Sequence, residues 1–246
     1  MLLANHLLDM GASINQMDNG GLFALKYALI RRQDSEITRL TERGADINLI
    51  DKKGRNLLHH AVNKSSSSAD ATFETEQLLI DLGIAINQVD MRGRVPLHYA
   101  FVKIRKWSIS DQIDPIETVS SLCGQPGLKI EVADKWQKTP LHYAAQRGAA
   151  ICTLFMLQRG ANLESKDIYS NTALGISMMR KHFNFAILLI QKNADVKLPV
   201  YEEFPKRIAK QWKDELKRKE NVEMYSDNDE ESGDEKRKND TGRNLF

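Results

Sequence analysis

A chain of 246 residues, 41% apolar and 28% charged, has enough apolar content to bury a core in one or two domains. Its formal net charge of +2 argues against a nucleic-acid binder, which carries a strong basic excess on its domain. No run approaches the ~18 consecutive apolar residues of a membrane span, and Cys123 and Cys152 are too few for a disulfide framework, so reducing cytosol or nucleus is the expected compartment.

The opening Met1-Leu2-Leu3-Ala4-Asn5-His6 lacks the basic n-region of a signal peptide. Leu7-Leu8-Asp9-Met10-Gly11-Ala12 reads as a helix ending at a left-handed glycine, so residues 1–17 form a half unit with no first helix before it. Such a start points to a piece of a larger chain, a truncated gene product or an improvised cap. A pattern then recurs. Asp18 is followed by Gly21, Leu25 and Ala28; Asp51 by Gly54, Leu58 and Ala61; Asp90 by Gly93, Leu97 and Ala100; Asp134 by Leu141 and Ala144; Asp167 by Leu174. These aspartates are 33, 39, 44 and 33 residues apart. A second marker runs in phase: Gly11, Gly44, Gly83, Gly127, Gly160 and Asn193 each stand four residues after an apolar side chain, Leu7, Leu40, Leu79, Cys123, Met156 and Leu189. Two independent markers in one register define a repeat, and a repeat of this length means stacked units that bury a core only together.

Local chemistry assigns the parts of the unit. Asp-x-x-Gly is a turn signal. Pro96 and Pro140 belong in the first turn of a helix, where a missing N–H costs little. Each unit is therefore a hairpin, a helix, a short turn and a second helix. The pattern predicts helices over 22–30, 34–43, 55–63, 73–82, 94–102, 115–123, 138–147, 150–158, 171–180 and 183–192, in repeats 18–50, 51–89, 90–133, 134–166 and 167–200. Gln137 and Ser170 replace the turn glycine, which predicts strained or differently shaped turns there, and Ser177 replaces the repeat's Ala.

Two insertions explain the long spacings. Lys64 to Asp70 is a polar loop of low complexity. Lys103 to Asp114, carrying Lys103, Arg105, Lys106 and Trp107, is either a tolerated surface loop or a second contact patch. It ends at Asp114-Pro115-Ile116-Glu117, which reads as N-cap, N1 and an N3 glutamate. Beyond the array, Phe204, Ile208, Trp212 and Leu216 lie four apart and predict an amphipathic helix over 201–225, which either caps the last repeat or meets a partner or a membrane surface. Residues 226–246 lack the apolar content to fold and read as a disordered charged tail, in which Ser226 and Ser232 suit an acidophilic kinase.

Thr139-Pro140-Leu141-His142-Tyr143-Ala144 and Val95-Pro96-Leu97-His98-Tyr99-Ala100 resemble the ankyrin motif, with weaker copies at Asn56–Ala61 and Phe23–Ala28. The resemblance covers residues 1–200. It implies an all-α ankyrin repeat solenoid with short β-hairpin tips, in which His59, His98 and His142 hydrogen-bond backbone and tie repeats together. It also implies a protein-binding module or scaffold whose partner lies on a concave surface of hairpin tips and inner helices. Mapped onto this chain, the tip residues are Gly20, Lys53, Arg92, Trp136 and Tyr169, and the inner-helix residues include Tyr99, Lys103, Tyr143, Arg147 and Arg180. Lys53, Arg92, Tyr99, Trp136, Tyr143, Arg147 and Tyr169 are the expected contact residues, because Trp, Tyr and Arg dominate interface energetics. Trp136 is either an anchor for the partner or leans on a neighbouring tip.

No phosphate loop, dinucleotide fingerprint or nucleophile elbow occurs, and the cysteines lack zinc-ligand spacing. No cofactor, metal or catalytic residue is expected within the chain. Cys123 occupies the buried register and is expected in the core. The expected partner is a protein, with no nucleic acid and no membrane span, and the chain is read as a monomer or part of a larger protein. Ankyrin arrays also precede catalytic domains, as in tankyrase-like NAD-dependent ADP-ribosyltransferases, so the alternative is a substrate-recruiting segment of a larger enzyme.

Overall fold

The computed structural model describes residues 10–65, 73–102 and 115–194. All of these belong to a unit spanning Met1–Asp195, with Val196–Phe246 as a second unit. The expectations for the opening half unit before Met10, for Lys103, Arg105, Lys106, Trp107 and Asp114, for the helix over 201–225 and for the tail all lie outside the described residues.

The helices, in chain order, are α1 (Ala24–Ile30), α2 (Asp34–Glu42), α3 (Leu57–Ser65), α4 (Phe73–Asp81), α5 (Pro96–Tyr99), α6 (Ile116–Gly124), α7 (Pro140–Arg147), α8 (Ala150–Gln158), α9 (Ala173–Met179) and α10 (Phe183–Gln191). Every predicted helix is present. The odd-numbered inner helices begin two residues later than predicted. The reason is local: Phe23, Val95, Thr139 and Thr172 are extended N-caps, a conformation that a following proline enforces at Val95 and Thr139. Pro115 flanks α6 rather than opening it. No strand occurs among the described residues, so the expected β-hairpin tips are turns, each closed by two backbone hydrogen bonds.

Inner helices pack in a row, α1 on α3, α3 on α5, α5 on α7 and α7 on α9, while α4, α6, α8 and α10 form the outer row. The two sequence markers supply the contacts. Leu25, Leu58, Leu97, Leu141 and Leu174 are buried between repeats, and so are Ala28, Ala61, Ala100, Ala144 and Ser177. Ser177 tolerates its apolar site because its hydroxyl donates to the Leu174 carbonyl at 2.7 Å.

The second marker is a helix-ending motif. Gly44 N–H donates to Thr41 O and Ala45 N–H to Leu40 O; the same pair of bonds recurs at Gly83, Gly160 and Asn193. All four residues have positive φ. This is the Schellman arrangement, in which the apolar residue four before the glycine receives the last bond and is itself buried. Cys123 holds that register and is buried, as expected, but its helix ends differently at Gln125-Pro126.

The helix α5 was predicted to run to Val102 and stops at Tyr99. Beyond it Phe101 N–H and Val102 N–H donate to His98 O and Tyr99 O, three residues back, so the chain tightens instead of continuing the α-helix. The carbonyl of Ala100, the residue that follows α5, accepts from Arg147 Nη1 at 3.2 Å.

The turns at Gln137 and Ser170 keep the shape of their glycine counterparts. Gln137 N–H and Ser170 N–H donate to Asp134 O and Asp167 O at 2.9 Å, as Gly93 N–H does to Asp90 O. The expected change of shape is therefore absent, and the cost appears as left-handed backbone, with φ of 57° at Gln137 and 61° at Ser170. A side chain in that region costs about 1–2 kcal/mol, against roughly 0.4–1 kcal/mol for the freedom glycine adds to the unfolded chain. Gln137→Gly and Ser170→Gly are each expected to stabilise the fold by about 0.5–1 kcal/mol in urea unfolding. Destabilisation by either change would show that the side chain contributes more than its conformation costs.

Candidate functional site

Each tip is built around its aspartate. The Asp backbone N–H donates to the carbonyl four residues on, as from Asp51 to Arg55 at 2.8 Å and from Asp134 to Lys138 at 3.0 Å. The carboxylate Oδ1 accepts two backbone N–H groups, from Lys53 and Arg55 at Asp51, Arg92 and Arg94 at Asp90, Trp136 and Lys138 at Asp134, and Tyr169 and Asn171 at Asp167. These bonds fix the turn and aim the side chain two residues past each Asp outward.

Successive tips are stitched to each other. Met91 N–H donates to Lys53 O, Lys135 N–H to Arg92 O and Ile168 N–H to Trp136 O, at 2.9, 2.9 and 3.1 Å. A Cβ on Gly93 would lie 3.3 Å from Asp134 Cα, so positive φ and close approach both favour glycine there. The tips form a continuous ridge.

On this ridge Lys53 and Arg92 are exposed, and Tyr169 is 71% exposed. Trp136 is 38% exposed, with the Arg92 guanidinium 5.8 Å from its ring centroid. Of the two alternatives for Trp136, the structure places it against the neighbouring tip while leaving part of the ring accessible. Met91 and Ile168, beside Arg92 and Tyr169, are also exposed and were missed by the sequence reading.

Three expected contact residues are committed to the fold instead. Tyr99 is 4% exposed and its hydroxyl donates to Asp90 Oδ2 at 2.6 Å. Tyr143 is half-buried and donates to Asp134 Oδ2 at 2.6 Å. Arg147 is 7% exposed and serves the truncated end of α5. These side chains are not free for a partner. The signal that finds the tyrosines is a spacing: the residue nine after each of the first four tip aspartates is Tyr27, His60, Tyr99 or Tyr143, and each bonds the carboxylate of its own repeat, whereas the fifth repeat has Ile176 there.

Asp51 gathers the most bonds. Lys26 Nζ, Arg55 Nη2 and His60 Nε2 meet its Oδ2 at 3.1, 2.8 and 2.9 Å. Burial pushes this carboxyl up, but the Arg55 side chain and backbone, with Lys26, outweigh burial and hold it well below the usual range. Asp90 follows the same logic: burial raises it, and Tyr99 and Arg94 bring it down on balance.

The motif histidines tie repeats together as expected. Backbone N–H groups of Asn56, Val95 and Thr139 donate to Nδ1 of His59, His98 and His142. Nε2 of each ring then meets a carbonyl of the next repeat, Arg94, Lys138 or Asn171, at 3.0–3.1 Å. This set of partners fits a neutral ring protonated on Nε2. Burial pushes His59, His60 and His98 down to about 4, and also lowers His142. The unfolded rings titrate near ~6.5, so between that pH and about 4 the unfolded chain holds protons that the folded chain does not. The stability carried by neutral rings is complete above ~6.5 and is lost as pH falls through that window, with Asp51 and Asp90 extending the loss below it. Melting temperature followed by circular dichroism should fall steadily from about pH 7 to about pH 4; a flat profile would contradict the buried neutral state.

A cleft of about 400 Å³ opens between the second and third tips, lined by Lys53, Arg55, Asp90, Met91, Arg92, Arg94, Tyr99 and Val102. Its only acidic group, Asp90, is already saturated by the Arg94 guanidinium and the Tyr99 hydroxyl. Among the described residues no three His, Cys, Asp or Glu side chains converge as a metal site, and no helix is long and apolar enough to cross a membrane.

Residues 106–199 match the family model described as ankyrin repeats, in three copies. Rabankyrin-5 of Mus musculus is 26% identical over 205 residues, covering 81% of this chain and 16% of that protein. The human transient receptor potential cation channel subfamily A member 1 is 28% identical over 206 residues, again 16% of its length. The tankyrase poly [ADP-ribose] polymerase of Caenorhabditis elegans is 35% identical over 85 residues, 34% of this chain and 4% of that protein. The chain thus spans a small fraction of each relative.

Proposed function

The chain belongs to the ankyrin repeat family, and from that premise we propose that it holds a partner protein on the ridge of tips running from Lys53 to Tyr169. Ankyrin repeats are protein-interaction modules. The observation that carries the finer reading is the division of labour on this face: the tip aspartates, their tyrosines and the motif histidines are all consumed by the fold, whereas Lys53, Arg92, Tyr169 and part of Trp136 are left to solvent. Exposed aromatic and Arg side chains on a backbone fixed by hydrogen bonds are what an interface anchor needs, because little entropy remains to be lost on binding. Reducing cytosol or nucleus is the compartment we assign, on the two cysteines alone.

Affinity capture with the full chain tests the reading. Changing Trp136 and Tyr169 together to Ala removes no buried core and should leave the circular dichroism spectrum unchanged. It should weaken capture by about 2 kcal/mol or more, roughly thirtyfold. Unchanged affinity with an unchanged spectrum would move the site off the tips.

A second reading is favoured by one observation, the small share of each relative that this chain covers. In it the array is the recruiting segment of a longer protein, of which a tankyrase-like ADP-ribosyltransferase is one form. The two readings share the ridge and differ only in what the captured partner is delivered to.

A further inference from the structure

The near-neutral balance of the whole chain conceals a segregation of charge. Between each tip aspartate and the end of its inner helix, over 18–30, 51–63, 90–99, 134–147 and 167–179, the described residues include no Glu and no Asp other than the tip aspartate itself. Those five aspartates accept bonds from their own turns and, at Asp51, Asp90 and Asp167, ion pairs as well. Asp18 on the first tip is exposed, but the other exposed carboxylates sit elsewhere: Glu42 on α2, Glu74 and Asp81 on α4, Glu117 on α6, and Asp46, Glu131 and Glu164 in the loops that join repeats. Lys53, Arg92 and Lys135 meanwhile stand exposed on three consecutive tips. The apolar Met91 is 63% exposed between Lys53 and Arg92.

We propose that the second to fourth tips bind an extended acidic peptide segment, with Arg92 and Lys53 meeting its carboxylates at the cleft and Met91 and Trp136 taking apolar side chains between them. The proposal rests on the tip ridge being the partner surface and specifies the chemistry of the partner. Three features point to a peptide rather than a compact anion. The exposed Lys53, Arg92 and Lys135 are spread over successive tips, while Arg55 and Arg94, which also line the cleft, are neutralised by Asp51 and Asp90. Arg92 is braced over the Trp136 ring, which holds a cationic and an aromatic group side by side. The cleft, at about 400 Å³, suits one or two side chains and not a folded domain. A face carrying one sign of charge also steers an oppositely charged partner toward it before contact.

The test is selection from a random peptide display library on the full chain, run in parallel on a variant carrying Lys53→Glu and Arg92→Glu. Both side chains are exposed, and matching circular dichroism spectra establish that the variant is folded. Peptides enriched on the parent chain should be rich in Asp and Glu with interspersed apolar residues. Synthesised singly, they should lose about tenfold or more in affinity for the variant and weaken with added salt. Enriched peptides without an acidic excess, no enrichment on the parent chain, or equal affinity for the variant would each overturn the proposal. So would vesicles containing phosphatidylserine, or a single-stranded RNA, binding the parent chain as tightly as the selected peptides and with the same dependence on Arg92. If peptides enrich without acidic character and still require Trp136 and Tyr169, the partner-binding ridge stands and only its charge preference falls.

Discussion

Truncating Leu97 or Leu141 to Ala should cost about 2–5 kcal/mol of folding stability, the range for removing a fully enclosed Leu side chain. Both side chains are no more than 1% exposed, each on an inner helix packed between the inner helices on either side of it. The two sites should not respond alike. Leu141 lies on α7, a helix of eight residues, whereas Leu97 lies on α5, which has four and is followed by Ala100, whose carbonyl accepts from Arg147 of the next repeat. The Leu97 variant is therefore expected to separate the stack at this junction, giving a two-step urea transition, because an array can lose part of itself without losing all. A loss under ~0.5 kcal/mol at either site, the size of an ordinary surface change, would contradict the burial.

Asp51→Ala should be as damaging, by about 3–5 kcal/mol, although it removes no apolar surface. The carboxylate side chain is 4% exposed and Lys26, from the preceding repeat, is 9% exposed. Without Asp51 the Lys26 ammonium is left buried without this counter-charge, the Lys53 and Arg55 N–H groups lose their acceptor, and His60 loses its partner. Asp51→Asn retains an oxygen for the backbone N–H groups and should cost less. Urea unfolding of the two variants side by side measures the difference, and equal effects would show that the turn bonds, not the charge, carry the stability.

The helices and the core were legible because their signals are periodic and redundant. The buried Leu at 25, 58, 97, 141 and 174 recurs with a small residue three residues on, Ala in all but the last, and the Schellman residues Gly44, Gly83, Gly160 and Asn193 mark four outer helices independently. What the periodicity hid was the use made of polar side chains. Tyr99, Tyr143 and Arg147 look like contact residues in sequence because tyrosine and arginine are common at interfaces, yet each satisfies a buried acceptor. The Asp-to-Tyr spacing of nine was available in the sequence and identifies the tyrosines. Arg147 could not have been found that way, since its role follows from α5 stopping at Tyr99, which no repeated residue signals. Gln137 and Ser170 show the reverse case: residue type signalled a change of turn shape, and the surrounding hydrogen bonds held the shape and placed the cost in φ.

Hydrogen exchange of the full chain, alone and with a captured partner, tests most directly whether the ridge of tips is the binding surface. The tip amides lie in short exposed turns and should exchange faster than those of the inner helices, so protection there is readable. The account predicts slowed exchange over 52–54, 91–93, 135–137 and 168–170, with the outer helices α8 and α10 unchanged. Protection confined to the outer helices, with the tips exchanging as before, would contradict it.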